Sequence, residues 1–255
     1  MAINVNTVYK TVLSIINKEQ RGYITPYEFN QIATQVQLEI FETYFENLNQ
    51  QLRVGGNSSE YANRVKLLEE KIAYFEEEQV LVFNNAGEAT LPSEVYRLGS
   101  IMYKKYDYKD IEVEKTTKRE FNHIVRSPLT NPIPTAPTSG VQGPIYTQIG
   151  DKIKTLPISD TNSTYTLEYI RKPKNVVWAY TINAGLGNYI FNNSSNPVDP
   201  GVIPSTGFQD FEIDETDQTE VILRILAYSG IVIGNSQITQ TAAQAVAQQD
   251  QLEAS

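Results

Sequence analysis

Apolar residues recur at helical spacing over the first eighty positions of the chain. This spacing places them on one face of an amphipathic helix. It predicts three helices, over residues 5–17, 25–52 and 59–79. The middle helix carries the longest apolar stripe, which consists of Phe29, Ile32, Val36, Ile40, Phe41, Tyr44 and Phe45. Residues 1–80 are therefore predicted to form a helical region.

The pattern then changes to alternating apolar and polar positions, which is typical of β-strands. Hairpins are predicted around Tyr106–Asp110 and at Gly150–Asp151, because short polar or glycine-containing turns separate the alternating runs. Proline is frequent at 127–144, which excludes a regular helix or a central strand there. Residues 81–180 are therefore predicted to form an antiparallel β-region with a proline-rich insertion.

The last third of the chain begins with a long connection and returns to a helix. Residues 181–210 are rich in Gly, Asn, Ser and Pro and predict a long loop, a kind of connection that is usually functional or mobile. A closing helix that packs on the helical region is predicted within 211–236, with a capping-box-like start at Asp217 and Glu220. Residues 237–255 form an Ala/Gln/Thr-rich tail. The order predicts an α+β fold: an N-terminal helical bundle and a closing C-terminal helix, with an antiparallel β-region inserted between them.

The stretch "NKEQRGYITPYEF" at residues 17–29 has two interpretations. Its second half resembles a calcium-binding EF-hand loop, with Gly22 at the invariant glycine position and Glu28 at the bidentate position. Arg21 would then place a cation where an oxygen ligand should face the metal. The same letters form a capping box, in which Thr25 caps the following helix and Glu28 completes the pair. The capping box is favoured, and no metal site is predicted.

Charge and composition narrow the functional classes. The chain of 255 residues has 30 acidic and 21 basic residues, for a net charge of −9. Holding a phosphate backbone requires concentrated Lys and Arg, so DNA binding is not expected to be the main activity. The absence of cysteine excludes disulfides and thiolate metal sites. We expect no signal peptide and no membrane association, since no basic-then-apolar start and no sufficiently long apolar run are present.

Candidate catalytic residues do not form a recognisable constellation. The single histidine, His123, has no nucleophile signature near it. The "GLGNY" stretch at 185–189 lacks the third glycine and the strand-to-helix context of a dinucleotide site. The acidic run Glu76–Glu78 is interpreted as a solvated helix end. We therefore expect neither an enzyme nor a cofactor-binding protein, although a hydrolase built from carboxylates that meet in space stays open.

Several motifs follow one another between residues 23 and 235 in an order that resembles a known family. They are "YITPYEFNQIATQVQLEIFE", "LPSEVYRLGSIMYKK", "KREFNHIVRSP" and "PIYTQIGDKIKTLPI" followed by "YTLEYIRKP". In this order they are similar to the early helix, the β-region entry, the helical turn and the next hairpin of the head-to-tail adaptor, or connector, ring proteins of short-tailed bacteriophages, the tail tubular protein A group. The Asn- and Tyr-rich composition also resembles ring proteins of crAss-like phages. The connections at 127–144 and 181–210 are longer than the simplest family members need.

The resemblance implies a structural virion protein of the tail, located at the portal vertex and assembled in the host cytoplasm. It implies a homo-oligomeric ring of about twelve copies that contacts the portal protein and the next tail or ring protein. Genomic DNA would pass through the channel without sequence-specific binding, and acidic channel residues would repel its backbone. The tail at 237–255 is the candidate portal contact. Candidate interface residues of the long loop and the tail are Tyr189, Phe191, Asn192, Asn193, Gln237, Ile238, Gln240, Gln244 and Gln248.

Three other functions stay open at this stage. The first is another ring of the same tail stack. The second is a host-surface or carbohydrate-binding module, which Tyr-rich strands and Asn-rich loops would suit. The third is a carboxylate hydrolase acting on the cell wall, for which the sequence holds no positive motif.

Overall fold

The chain has an α+β fold that divides into two compact units. The computed structural model describes residues 2–18, 23–54, 59–84, 86–105, 110–128, 130, 132, 143–158, 163–183, 185–193, 202–204, 207–233, 240–241 and 243–248. Residues 1–73 and 173–255 form one unit, here the helical unit, and residues 74–172 form the other, here the β-unit. The β-unit is thus inserted in the chain between two parts of the helical unit.

The helices follow the predicted apolar periodicity. They are α1 (Val5–Lys18), α2 (Pro26–Val54), α3 (Ser59–Ala73), α4 (Lys118–Arg126) and α5 (Gln218–Ile233), with a 3₁₀ turn at Glu215–Asp217 and helical residues at 240–241 and 243–248. Helix α4 belongs to the β-unit, where the sequence predicted a short helical turn. In the helical unit α2 contacts α3 and α5, and α1 contacts α5. Their shared core contains Val8, Val12, Ile16, Phe29, Val36, Phe41, Val221 and Ile225, all fully buried.

The start of α2 confirms the predicted capping box. The Thr25 hydroxyl accepts a hydrogen bond from the Glu28 N–H at 3.3 Å, and the Glu28 carboxylate accepts one from the Thr25 N–H at 2.9 Å. The backbone hydrogen bond, with help from the Thr25 hydroxyl, lowers the pKa of Glu28. The cap therefore occupies the carboxylate that the EF-hand interpretation needs as a ligand. Residues 19–22 of that loop lie outside the described residues.

A polar cluster joins α2, α3 and the 3₁₀ turn inside the helical unit. The Lys71 Nζ atom lies 2.7 Å from Asp217 Oδ2, and the Tyr44 hydroxyl donates to the same oxygen at 2.5 Å. The Lys71 and Asp217 side chains are only 13% and 11% exposed, so each charge depends on its partner for compensation. Burial, and then the Asp217 charge, raise the pKa of Tyr44 far above its ordinary value.

This cluster corrects the predicted start of the closing helix. The cap is at Asp214, whose side chain accepts from the Thr216 N–H. Asp217 is instead bound by Lys71, and Glu220 pairs with Arg224 at 2.6 Å along the helix. Residues 211–214 are not helical, because Phe211 pairs with Ile3 in an isolated β-bridge before the 3₁₀ turn begins.

The β-unit contains two four-stranded sheets around a common core. Its strands are β1 (Glu76–Val80), β2 (Glu88–Thr90), β3 (Val95–Lys105), β4 (Ile111–Glu112), β5 (Glu114–Lys115), β6 (Ile145–Ile149), β7 (Lys152–Leu156) and β8 (Ser163–Arg171). The sheet orders are β1-β8-β3-β4 and β2-β7-β6-β5. The predicted hairpin at Gly150 joins β6 to β7, with φ +63° at the glycine, and β3 pairs with β4 across the other predicted turn. The core between the sheets contains Ile101, Tyr103, Tyr146, Ile153, Tyr165, Leu167 and Tyr169.

The first strand of the β-unit corrects the prediction for Glu76–Glu78. Helix α3 ends at Ala73, and the three glutamates lie in β1, an edge strand that pairs only with β8 within the described residues. The strand has the sequence EEEQV, and all five residues are exposed. It therefore lacks the alternation of apolar and polar residues by which a strand is predicted from sequence. The two ends of the β-unit meet at this pair, where the Arg171 N–H donates to the Phe75 carbonyl at 2.9 Å.

Two further expectations about strands need correction. The β-region is not wholly antiparallel, because β5 pairs with β6 in parallel across the connection that carries α4. The 181–210 segment is not one loop, because it contributes to a hairpin of β9 (Tyr180–Ile182) and β10 (Tyr189–Phe191) in the helical unit. Most of the proline-rich stretch at 127–144 lies outside the described residues.

Gly99 is required by the close approach of β3 and β8. The register of this pair shifts between Leu98 and Ile101, and a Cβ atom at Gly99 would lie 2.8 Å from the Glu168 carbonyl oxygen. A backbone atom cannot yield as a flexible side chain can. We expect Gly99→Ala to lower the free energy of unfolding by about 1–3 kcal/mol. Urea denaturation should show this loss, while Gly143→Ala, whose Cβ would meet nothing within 4 Å, should change stability by less than about 0.5 kcal/mol.

The raised pKa of Tyr44 predicts a loss of stability in alkali. An unfolded tyrosine ionises near 10.0, whereas the folded chain keeps the Tyr44 phenol neutral to higher pH. Its contribution is therefore complete below pH 10 and is lost as pH rises above it, with a slope of up to about 1.4 kcal/mol per pH unit. Denaturation at pH 9, 10 and 11 should show a shallower decline for Tyr44→Phe than for the wild type. Equal declines would contradict this role of Tyr44.

Candidate functional site

The segment that leads into the β9–β10 hairpin is held along α2 by polar side chains. Asn30 binds both backbone groups of Trp178, accepting from its N–H at 2.8 Å and donating to its carbonyl at 3.3 Å. Thr34 and Gln37, one and two turns further along α2, donate to carbonyls of residues 174–178 at 3.4 and 2.6 Å. We call these three side chains the α2 polar row. It satisfies backbone groups that would otherwise be buried without partners.

Trp178 is the centre of a chain of aromatic rings. Its ring centroid lies 4.3 Å from that of Tyr9, and its indole N–H donates to Asn6 Oδ1 at 3.2 Å. The remaining ring pairs are Tyr9–Phe29, Trp178–Tyr180, Trp178–Phe191, Tyr180–Tyr189 and Phe191–Phe208, all with centroids 4.8 to 5.9 Å apart. The rings run from the fully buried Phe29 to half-buried positions on the hairpin. The hairpin is therefore supported by a continuous aromatic base.

The outer parts of the hairpin expose apolar side chains. Ile182 is 51% exposed, Ile190 is 47% exposed, and Leu186 in the turn between the strands is 79% exposed. Ile190 lies opposite Thr181, on the face away from the Tyr180–Phe191 pair. Single exposed apolar residues are common, but this short hairpin has three: Ile182 on the face of Tyr180, Ile190 on the other face and Leu186 in the turn, so its surface is apolar on both sides.

This surface lies within a stretch that lacks charge. One residue in five is charged over the whole chain, yet residues 175–198 contain no Asp, Glu, Lys, Arg or His. A second such stretch covers 225–249. Enrichment in aromatic residues and depletion of charge distinguish the buried centre of protein interfaces from the rest of a surface. The β9–β10 hairpin, residues 180–191, is therefore the candidate interaction site of the helical unit.

The structure places the predicted interface residues in two segments. Tyr189 and Phe191 lie on β10, and Asn192 and Asn193 follow it directly. The Asn192 N–H donates to the Ala179 carbonyl at 2.9 Å, which extends the hairpin ladder by one step.

The other predicted interface residues belong to the tail. Their described members are helical and exposed: Gln240, Gln244 and Gln248. Gln237 and Ile238 lie outside the described residues. Sequence reasoning missed Ile182, Leu186 and Ile190, although the charge-free stretch around them was the signal that could have identified them.

The Tyr180 phenol of the hairpin stays neutral to higher pH than a free tyrosine. Burial raises the pKa of Tyr180, and the neighbouring Tyr189 phenol raises it further. Burial also raises the pKa of Tyr9 at the base of the aromatic chain. The site therefore offers uncharged aromatic and apolar surface, which is suited to burial against another protein.

A cleft of about 840 Å³ in the β-unit is a weaker candidate. Tyr96, Arg97, Lys115 and Gln148 are among its lining residues, and aromatic and polar groups of this kind can bind sugars. The Arg97 guanidinium, however, lies 5.6 Å from the centroid of the Tyr96 ring and covers a face on which a sugar would stack. The cleft therefore gives no specific support to carbohydrate binding.

No family model and no curated protein sequence matches the chain. Among the helices of the described residues, none combines the length and hydropathy needed to cross a bilayer. The described part of the chain also contains no group of three or more His, Asp or Glu side chains placed to hold a metal ion. His123 is exposed on α4 of the β-unit, outside the candidate site.

Trp178 is the single tryptophan of the chain, so its fluorescence reports on the aromatic base of the hairpin. We expect Phe191→Ala to remove ring contact from Trp178 and to lower the free energy of unfolding by about 1–3 kcal/mol. The emission maximum of the folded variant should move to longer wavelength as water reaches the indole. Ile190→Ala, on the opposite face, is the matched control and should leave the emission unchanged. A red shift in the control alone would contradict the assigned faces.

Proposed function

We propose that this chain is the subunit of a head-to-tail adaptor ring of a short-tailed bacteriophage. The ring would join the portal to the tail and form part of the DNA channel. The observation that carries the proposal is the exposed, charge-free hairpin on its aromatic base. A subunit of a closed ring must bury surface against identical neighbours, and such surface is depleted of charge.

The order of the elements supports the same function. Three helices precede the β-unit and α5 follows it, which is the order that the resemblance to adaptor rings implies. Helix α5 contacts α1 and α2, so the two parts of the helical unit form one core. A β-unit inserted into a helical core gives each subunit separate surfaces for separate neighbours.

The tail supports a contact with a further protein. Residues 240–241 and 243–248 are helical, and the glutamines among them are exposed and uncharged. Amide side chains can donate and accept hydrogen bonds at an interface without the cost of burying a charge. In the proposed ring this segment contacts the portal.

The net charge of −9 fits a protein past which DNA slides. Acidic groups on a channel wall repel the phosphates of DNA. They do not replace the counterions that surround DNA, so they lack the release of counterions by which basic proteins bind it. In this proposal DNA is therefore a passing neighbour and not a bound ligand.

The test is assembly of the full chain alone and with the portal protein encoded by the same genome. We expect electron microscopy of negatively stained samples to show a ring of about twelve copies stacked on the portal. Leu186→Asp with Ile190→Asp should keep the fold and abolish the ring, because two charges would be buried in the contact. Leu52→Asp with Leu67→Asp alters two similarly exposed leucines elsewhere in the helical unit and is the matched control.

Other outcomes identify the competing functions. A ring that binds the next tail protein but not the portal would assign the chain to another level of the tail stack. A chain that stays monomeric with portal and binds tightly on a glycan array would instead be a host-surface module. Assembly of the Leu186→Asp, Ile190→Asp variant at wild-type strength would remove the hairpin from the contact.

A further inference from the structure

Helix α4 presents a basic stripe on the surface of the β-unit. Phe121 is buried, so it marks the inner face of this helix. Arg119, His123 and Arg126 are exposed and follow one another at i, i+4 and i+7, on the side opposite Phe121. This stripe extends about 10 Å along the helix. Residues 114–126 hold four cations and two acids, in contrast to the acidic chain as a whole.

The first sheet of the β-unit presents an acidic face. Glu78 lies directly opposite Glu168 in the β1–β8 ladder, and Glu76 shares their face two residues along β1. All three are exposed. Glu77 points to the other face, where it pairs with Arg171 at 2.7 Å. We call Glu76, Glu78 and Glu168 the acidic triad.

The acidic triad is not compensated within the described residues. Two like charges directly opposite each other destabilise a strand pair. Glu168 accepts a hydrogen bond from Ser100, but no cation pairs with Glu76 or Glu78 in the described part of the chain. Of the cations on the same face of β3, Arg97 lies over the Tyr96 ring and Lys104 pairs with Asp110.

The acidic triad and the basic stripe lie at opposite ends of the β-unit. Strand β1 is one edge of its sheet and leads by a short connection to β2, an edge of the second sheet. At the other end β4 leads through Val113 to β5, and α4 follows β5 and contacts β6. Three strand spacings, about 14 Å, separate the two edges of each sheet. The acidic triad, on β1 and β8, is therefore nearer one edge of the unit, and the basic stripe, on the helix that follows β5 and contacts β6, is nearer the other.

We propose that the basic stripe of α4 docks on the acidic triad of a second copy of this chain. Two complementary patches at opposite ends of one unit give a head-to-tail contact, which repeats until a ring closes. The inference rests on the proposed ring and names the β-unit contact within it. This contact neutralises the uncompensated pair of Glu78 and Glu168 and uses the cations of α4, which have no described acidic partner.

Apolar side chains accompany the acidic triad. Val80, on the face of Glu76 and Glu78, is 54% exposed, and Val82 just beyond β1 is 84% exposed. The acidic triad therefore combines charge with apolar area, the composition of a specific interface rather than of a solvated surface. The same basic stripe could also meet nucleic acid, which the experiment below distinguishes.

The test exchanges the charges of the two patches in the full chain. One variant carries Arg119→Glu and Arg126→Glu, and the other carries Glu76→Lys and Glu78→Lys. Each variant alone should self-associate at least about a hundredfold more weakly than wild type, because like charges then meet. Mass photometry over a range of concentrations measures this loss.

Restoration by mixing is the decisive part. An equimolar mixture of the two variants pairs wild-type patches and exchanged patches alternately, so assembly should return. A chain with all four substitutions should also assemble. Lys10→Glu with Lys66→Glu, and Glu42→Lys with Glu46→Lys, change the net charge equally in the helical unit and should assemble like wild type. Circular dichroism confirms that each variant is folded.

A covalent readout covers weak association. The natural chain has no cysteine, so Glu78→Cys with Arg126→Cys introduces the only two thiols. Oxidation should give a ladder of dimers, trimers and longer products, whereas either single variant should give no product beyond a dimer.

The outcomes separate this contact from the ring itself. Wild-type rings together with unimpaired assembly of both charge variants would overturn the contact and leave the ring standing. Absence of rings and of any cross-linked ladder would overturn both. Retention of duplex DNA by wild type, lost in the Arg119→Glu, Arg126→Glu variant while assembly is unchanged, would assign α4 to nucleic acid instead.

Discussion

The candidate site depends on the need of a buried, extended backbone for hydrogen-bond partners. Residues 174–178 lie along α2 and belong to no sheet; Val177 pairs with Gln209 in an isolated bridge, and this bridge leaves the backbone groups of the neighbouring residues to other partners. The α2 polar row supplies the missing partners at helical spacing, and the fully buried Gln37 also accepts from the Glu212 N–H at 2.8 Å. One helix thereby orders both the segment that enters the hairpin and the segment that leads into α5. The position of Trp178, and with it the hairpin, follows from these bonds.

In the proposed ring, the two units associate through different chemistry. The hairpin of the helical unit offers aromatic and aliphatic area without charge, whereas the β-unit offers two patches of opposite charge. Apolar burial supplies affinity, and complementary charge supplies orientation and excludes wrong registers. Subunits that carry both can recognise each other in one arrangement. This division is what the proposed ring requires, because every copy must present the same two different sides.

Local signals in the sequence predicted much of the fold. The features that they could not predict depend on pairing between residues far apart in the chain. Thr25 and Glu28 are three residues apart, so the cap of α2 can be predicted from the sequence. Gly150 likewise predicts its hairpin turn. The spacing of Asp217 and Glu220 favours a cap, whereas the true partner of Asp217 is Lys71, which is 146 residues away and cannot be identified from local spacing. The edge strand β1 carries no apolar alternation and its glutamates favour a helix, so only pairing with β8 identifies it. The α2 polar row could not be predicted for the same reason, because a polar side chain in a helix does not indicate which distant backbone group it will bind.

The pairing of β1 with β8 places the entry and exit of the inserted unit side by side. The hydrogen bond between Arg171 and Phe75 brings the two connecting points to within one strand spacing of each other. An insert with adjoining ends can be exchanged for another without stretching the host chain. The β-unit can thus be replaced as a whole while the helical unit is retained. Over evolution, the helical unit could keep its own contacts while different inserted units take the place of the β-unit.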